Sequence, residues 1–157
     1  MKIAGVDPSS SVCGVALTED QKLLLTDAWF KDKNKSSSEN LVGYFLWLQN
    51  WLASTAPDVA VIEFLSVVRN AEATRKIAHY QAISSCVCKL RGLMVIEARA
   101  TSARKASLGR GNLSKKECFE IIKKKYPDHK FKRFDSSGAD ETDAVVLSIG
   151  GITLAEK

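Results

Sequence analysis

The chain opens with two apolar runs divided by a tight polar turn. Ile3-Ala4-Gly5-Val6 is apolar on both faces of a strand and ends on Asp7; Pro8-Ser9-Ser10-Ser11 turns the chain, and Val12 to Leu17 starts a second strand. Lys22 to Phe30 predicts a third strand, and the short connections among the three predict an antiparallel meander. A polar loop, Lys31 to Glu39, then leads into Asn40 to Ala53. There Leu41, Tyr44, Phe45, Leu48, Trp51 and Leu52 recur every three or four residues, the spacing of a one-faced helix that the preceding serines can cap. After Pro57, Val59 to Phe64 predicts a fourth strand with Glu63 near its end.

Arg69 to Leu90 predicts a long helix with Ala71, Ile77, Ala78, Ile83, Val87 and Leu90 as its apolar positions. Ala73, Ala82, Ser84 and Ser85 add small residues that admit a close neighbour, a symmetry mate included. Gly92 ends this helix and Leu93 to Ala98 predicts a fifth strand. Thr101 to Asn112, with Gly109 and Gly111 among basic residues, reads as a mobile loop. Leu113 to Lys125 predicts a helix with Ser114 as its cap and Cys118, Phe119, Ile121 and Ile122 facing inward. A second polar loop, Pro127 to Gly138, precedes a last helix that starts near Ala139 and buries Ala144, Val145, Leu147, Ser148 and Ile152. The expected fold class is α/β: a five-stranded mixed sheet, its first three strands antiparallel and the rest parallel, flanked by helices in one domain over residues 1–157.

Composition narrows the setting. A chain of 157 residues can bury a real core, and a net charge of +5 permits a nucleic-acid partner without requiring one. No apolar run approaches the ~20 residues of a membrane span, and no signal-peptide core is evident, so a cytoplasmic location in a bacterial cell or phage-infected host is expected. Cys13, Cys86, Cys88 and Cys118 form no C-x-x-C pair and only two histidines accompany them; buried reduced thiols, rather than a zinc site, are expected.

Candidate chemistry lies in the acids. Asp7 ends a strand with apolar residues on both faces, so it either caps the following turn or meets a cation. Glu63 is a poor strand residue and costly to bury. Asp140 and Asp143, three apart in the first turn of the last helix, share a face; the helix dipole alone accounts for an isolated pair of this kind, yet Asp143 is followed by Ala-Val-Val-Leu and is turned toward the core. Converging carboxylates repel, and a divalent cation relieves the repulsion. Such a set of hard oxygen donors suits Mg²⁺ or Mn²⁺, and two ions ~3.5–4 Å apart serve phosphodiester cleavage.

With these residues in place, the stretches IAGVDPSSSVCGVAL, VAVIEFLSVVRNAEATRKIAHYQA and GADETDAVVLSIGG resemble the RuvC-type Holliday junction resolvases of the RNase H-like nuclease superfamily, over nearly the whole chain. The resemblance implies an RNase H-like fold, a homodimer acting on branched DNA, and two Mg²⁺ or Mn²⁺ per active site held by Asp7, Glu63, Asp140 and Asp143. It also implies that Val68-Arg69-Asn70-Ala71 begins the dimer helix. DNA backbone contacts are implied for Arg69, Asn70, Arg104, Lys105, Arg110, Lys115 and Lys116. One departure is Ser66, which stands three residues after Glu63, where the family commonly has an aromatic residue at the junction crossover.

Charge distribution agrees with a phosphate-tracking surface. Between Arg99 and Arg133 twelve Lys or Arg face three acids, an excess larger than the net charge of the whole chain. No aromatic stacking platform is interleaved with that charge, as a simple single-strand binder would need. The leading expectation is a metal-dependent endonuclease for four-way DNA junctions. The alternatives are a RuvX-like RNA-processing nuclease on the same fold and a catalytically silent junction-binding protein. An actin-like or sugar-kinase ATPase, which begins with a similar strand, Asp and Ser/Thr-rich turn, needs two such domains and a longer chain.

Overall fold

The computed structural model describes residues 1–64, 70–131 and 139–155. Five strands, β1 (Lys2–Asp7), β2 (Val12–Glu19), β3 (Lys22–Phe30), β4 (Val59–Glu63) and β5 (Met94–Ala98), form one sheet in the order β3-β2-β1-β4-β5. β1, β2 and β3 pair antiparallel, whereas β1, β4 and β5 run parallel. The expected mixed sheet is therefore the observed one. α1 (Ser37–Thr55) and α2 (Ala71–Leu90) contribute to the core on one face, and α3 (Ala100–Leu108), α4 (Lys115–Lys125) and α5 (Ala139–Ala155) to the core on the other.

The period-two alternation of a strand sorts side chains between these layers. Ala4 and Val6 of β1, with Cys13 and Val15 of β2, pack against Tyr44, Leu48 and Leu52 of α1 and Tyr80 and Val87 of α2. Ile3 of β1 and Val59 and Val61 of β4 take the opposite face, with Ala144, Val145 and Leu147 of α5. By the same parity Gly5 and Asp7 point toward α5, and so does Glu63. α5 is buried from Glu141 to Gly151, as a helix must be when the sheet covers one side and α3 and α4 the other.

Two strand glycines let α5 come that close. A Cβ on Gly5 would overlap the Ala144 carbonyl, and one on Gly14 would overlap the Asp140 carbonyl. Gly14 is the register partner of Asp7, so the bare backbone opposite the first acid is what admits the first turn of α5.

Local signals set the helix ends. Ser36 and Glu39 form a capping box on α1, and Ser114 and Glu117 form another on α4. The segment read as a mobile loop is helical instead: Ala100–Leu108 is rich in Ala, Arg, Lys and Leu, buries Ala103, and ends on Gly109 at φ 79°, so that glycine terminates a helix rather than loosening a loop. Other expectations shift in detail. Cys86 is exposed while Cys13, Cys88 and Cys118 are buried. Leu90 and Ile121 are exposed, as is Ala71; α2 turns Tyr80, Ser84, Val87 and Cys88 inward because its contact stripe lies a step away from the alanine-rich one. Ser66, Arg69, Lys132 and Arg133 lie outside the described residues, as does the side chain of Ile152.

The glycines give a paired prediction. Gly5→Ala or Gly14→Ala lowers unfolding stability in urea by about 1–3 kcal/mol or more, because α5 must shift. Gly43→Ala, mid-helix in α1 with only the Trp29 ring nitrogen at 4.0 Å, raises it by roughly 0.5–1 kcal/mol. Equal effects at the three sites would show that α5 has slack against the sheet.

Candidate functional site

The parallel register Val6↔Ile62 leaves Asp7 and Glu63 at matching ends of adjacent strands, one step beyond that pair and on the face that α5 covers. α5 begins there, with Asp140 and Asp143 in its first turns. Asp7 is 5% exposed and its Oδ2 has no hydrogen-bond partner among the described residues. Burial, followed by the neighbouring charges of Glu63 and Asp143, pushes its carboxyl well above the usual carboxylate range, while Lys115 opposes the shift. The four acids chosen from the sequence thus converge on one end of the central strand.

Two of the cations assigned to DNA contacts are drawn into this cluster. Arg104 of α3 is largely buried; its guanidinium donates to the Leu113 carbonyl at 3.1 Å and to Asp143 Oδ1 at 3.2 Å. Lys115, the first residue of α4, places its ammonium 3.1 Å from Asp143 Oδ2 and 3.6 Å from Asp140 Oδ1. The first of these is an ion pair without good hydrogen-bond direction, since Asp143 Oδ2 has no directed donor. Burial works against both cations, but Asp7, Asp143 and Asp140 hold the Lys115 ammonium above its ordinary range, and Asp143 does the same for Arg104. Lys105, Arg110 and Lys116 remain on the exposed surface nearby, with Arg110 close enough to Glu117 to lower its pKa behind the Ser114 cap. Asn70 caps α2, its side-chain oxygen accepting from the amides of Glu72 and Ala73.

Sequence reasoning passed over Glu141. It sits between the two acids of the last helix, is 2% exposed, and accepts a hydrogen bond from Thr26 Oγ1 of β3 at 2.7 Å; the same hydroxyl meets His129 Nε2 at 2.9 Å. Desolvation lowers the His129 pKa, with Glu141 opposing. The signal was available: three acids in four residues cannot all face solvent on a helix that is about to be buried.

As the side chains lie, no group of three or more Asp, Glu, His or Cys among the described residues is arranged to hold an ion, and the positive charge in the cluster comes from Lys115 and Arg104. The donor set nevertheless fits a hard divalent cation. It is carboxylate only, it includes a buried oxygen without a donor, and its mutual repulsion is what a cation relieves.

The sequence profile of the family described as crossover junction endodeoxyribonuclease RuvC matches residues 3–150. The chain belongs to the RuvC family. It is 28% identical over 153 residues to the RuvC crossover junction endodeoxyribonuclease of Trichlorobacter lovleyi, covering 95% of this chain and 83% of that protein. It is 28% identical over 127 residues to the Geotalea uraniireducens protein of the same description, covering 78% and 74%. Among solved structures it resembles Thermus thermophilus RuvC in complex with a Holliday junction substrate at a TM-score of 0.82 and 15% identity, covering 99% of this chain and 95% of that one. The yeast mitochondrial Holliday junction resolvase follows at a TM-score of 0.65 and 12% identity, over 94% and 76%. These two likenesses establish that the RuvC-family chain has their fold. No helix among its described residues is long and apolar enough to cross a membrane.

The unsatisfied carboxylate generates a stability prediction. In the metal-free protein, Asp7→Asn raises stability by about 1–3 kcal/mol, the cost of one unsatisfied buried polar group. The sign follows from the raised pKa: protonated Asp7 stabilises the fold at low pH, and that contribution is lost as pH climbs from the ordinary value of 3.8 through the folded one. The gap between variant and wild type therefore opens above about pH 4. Thermal melts in EDTA across pH check this; a variant less stable than wild type at neutral pH would mean that the carboxylate is satisfied where it lies.

Proposed function

We propose that this chain is a structure-selective, metal-dependent endonuclease that resolves four-way DNA junctions and acts on related branched DNA. The single observation that carries the reading is the convergence of Asp7, Glu63, Asp140 and Asp143 at the end of β1, in a chain of the RuvC family. These four carboxylates would hold the ions, two Mg²⁺ or Mn²⁺ per site. Bound there, the metal supplies an activated water and charge stabilisation on the leaving oxygen of the phosphodiester.

The chain's own residues do the rest. Gly5 and Gly14 hold α5 against the sheet, so its acids meet those of β1 and β4 without rearrangement. Lys115 and Arg104 balance the charge of Asp140 and Asp143, and they are placed to meet the phosphate being cut. Lys105, Arg110 and Lys116, exposed on α3, after it and on α4, track the flanking backbone, as does Arg69; Asn70 serves chiefly to fix the start of α2. Exposed Ala71 and Ala82 on α2 support pairing with a second copy, and a two-fold homodimer suits paired nicks on a junction of near two-fold symmetry.

Replacing Asp7 with Asn or Glu63 with Gln is expected to cut junction cleavage in Mg²⁺ or Mn²⁺ by more than about 100-fold, beyond what loss of an outer-shell contact costs. Junction binding in a gel-shift assay should persist, because the cationic surface is untouched. Cleavage at the wild-type rate by either variant would remove the acid cluster from the reaction.

A further inference from the structure

A second charged site lies at the opposite end of the Asp7 turn from the acid cluster, and the mechanism above does not use it. A cleft of 590 Å³ is walled by Ser10 and Ser11 of the β1–β2 turn, by Lys31 at the end of β3, by Ser37 at the start of α1, and by Arg75, Lys76 and His79 of α2; Leu41 and Tyr80 are its apolar lining. Three cations and an imidazole line it, and no carboxylate does. Of the acids nearby, Glu72 pairs with the cleft's own Lys76 at 2.7 Å, whereas Asp32 accepts from the Asn34 amide at 2.9 Å and lies 3.8 Å from Lys35, and Glu39 is held by Ser36 at 2.6 Å. Of the three cleft cations, Lys31 and Arg75 form no ion pair among the described residues, although Arg75 lies close enough to Glu72 to help lower its pKa after Lys76 does.

The walls are built rather than incidental. The Lys31 amide donates to the Ser11 carbonyl at 2.9 Å, tying the end of β3 to the turn. Buried Asn40 donates from Nδ2 to the carbonyls of Asp32, Lys35 and Ser36 and accepts from the Asp32 amide, which fixes the loop that delivers α1. The first-turn amides of α1, at Ser37, add the positive end of a helix dipole to the same space. Tyr80, packed against Trp29 and Tyr44, gives a rigid floor. A small, tetrahedral, multiply accepting anion matches this combination of guanidinium, ammonium, hydroxyl and helix-terminal donors.

We propose that this cleft binds a backbone phosphodiester of the DNA substrate, as a second anchor beside the point of cutting. The inference rests on the nuclease reading for the identity of the ligand. Ser10 is three residues from Asp7, so their Cα atoms are at most about 11 Å apart, the span of a few backbone phosphates. A strand held at both places is fixed in direction as well as position. The exposed cations of α3 and α4 alone cannot do this, since they lie on the far side of the acids.

The chain has two histidines, and only His79 lines the cleft, so its imidazole signals report on occupancy with His129 as an internal reference. In metal-free protein, a short single-stranded oligonucleotide should shift the His79 signals and leave those of His129 in place, whereas inorganic phosphate at the same phosphate concentration should shift them less. The double variant Lys31→Gln/Arg75→Gln should abolish that shift and weaken junction binding in EDTA. It should also lower the salt slope of binding by about one, the signature of one lost phosphate contact. Unchanged affinity and slope in the folded variant, or silent His79 signals in a wild-type protein that still cleaves junctions, would overturn the proposal. A larger response to inorganic phosphate than to DNA would likewise overturn the assignment to backbone. If His79 responds to the oligonucleotide but wild type neither binds nor cuts junctions, the cleft stands and it is the nuclease reading that fails.

Discussion

Close approach between a buried helix and a glycine-bearing pair of strands is the constraint on which this structure depends. α5 can lie on β1 and β2 only because Gly5 and Gly14 carry no Cβ, and its apolar sequence from Ala144 onward makes that position favourable. Once α5 is there, its first turns face the end of β1, and Asp140 and Asp143 are brought to Asp7 and Glu63 whatever the cost. The cost is electrostatic. Hydrophobic burial of the helix takes the Asp7 carboxyl out of water and brings other carboxylates to it; desolvation first, and repulsion from Glu63 and Asp143 second, raise its pKa, and one of its oxygens is left without a donor.

The chain offsets that repulsion with its own cations. Lys115 enters from the start of α4 and Arg104 from the middle of α3, each paired with Asp143. Removing two charges from water is itself expensive, so the arrangement is a compromise rather than a source of stability. It is compatible with the proposed metal centre, in which an external cation would replace these internal ones: a site fully satisfied by its own residues would have little affinity left for metal. Glu141 shows the contrast, since Thr26 satisfies it within the fold and it needs no cation.

Positive charge is distributed over two surfaces with the acids between them. One is the exposed part of α3 and α4, with Lys105, Arg110 and Lys116; the other is the cleft of Lys31 and Arg75 beyond the Asp7 turn. A polyanion bridging both would cross the carboxylates, which it could approach only with cations in place. If the proposed nuclease reading holds, this layout would couple substrate and metal binding, because each would lower the electrostatic cost of the other.

The sequence by itself determined every element but α3, and their order. Alternating and continuous apolar runs marked all five strands, and serines ahead of two helical patterns marked helix starts; the structure adds that Ser36 and Ser114 each form a capping box with the Glu three residues on, so α1 begins at Ser37 and not at Asn40. The sequence also singled out the four acids, because a carboxylate at the end of an apolar strand conflicts with its surroundings. Tertiary structure alone decided the rest. α3 reads as a loop because the glycines that follow it suggest flexibility when Gly109 is a cap; on α2, Val87 and Ile83 face the core as expected but Ala71 and Leu90 do not, because packing, not composition, chooses which weakly apolar face is covered. That Lys115 and Arg104 turn into the acid cluster, that Gly14 stands opposite Asp7, and that Lys31 and Arg75 line one cleft are all relations between residues far apart in the chain. Long-range contact and Coulomb attraction fix such relations only after the sheet and α5 have come together, and no local pattern encodes them.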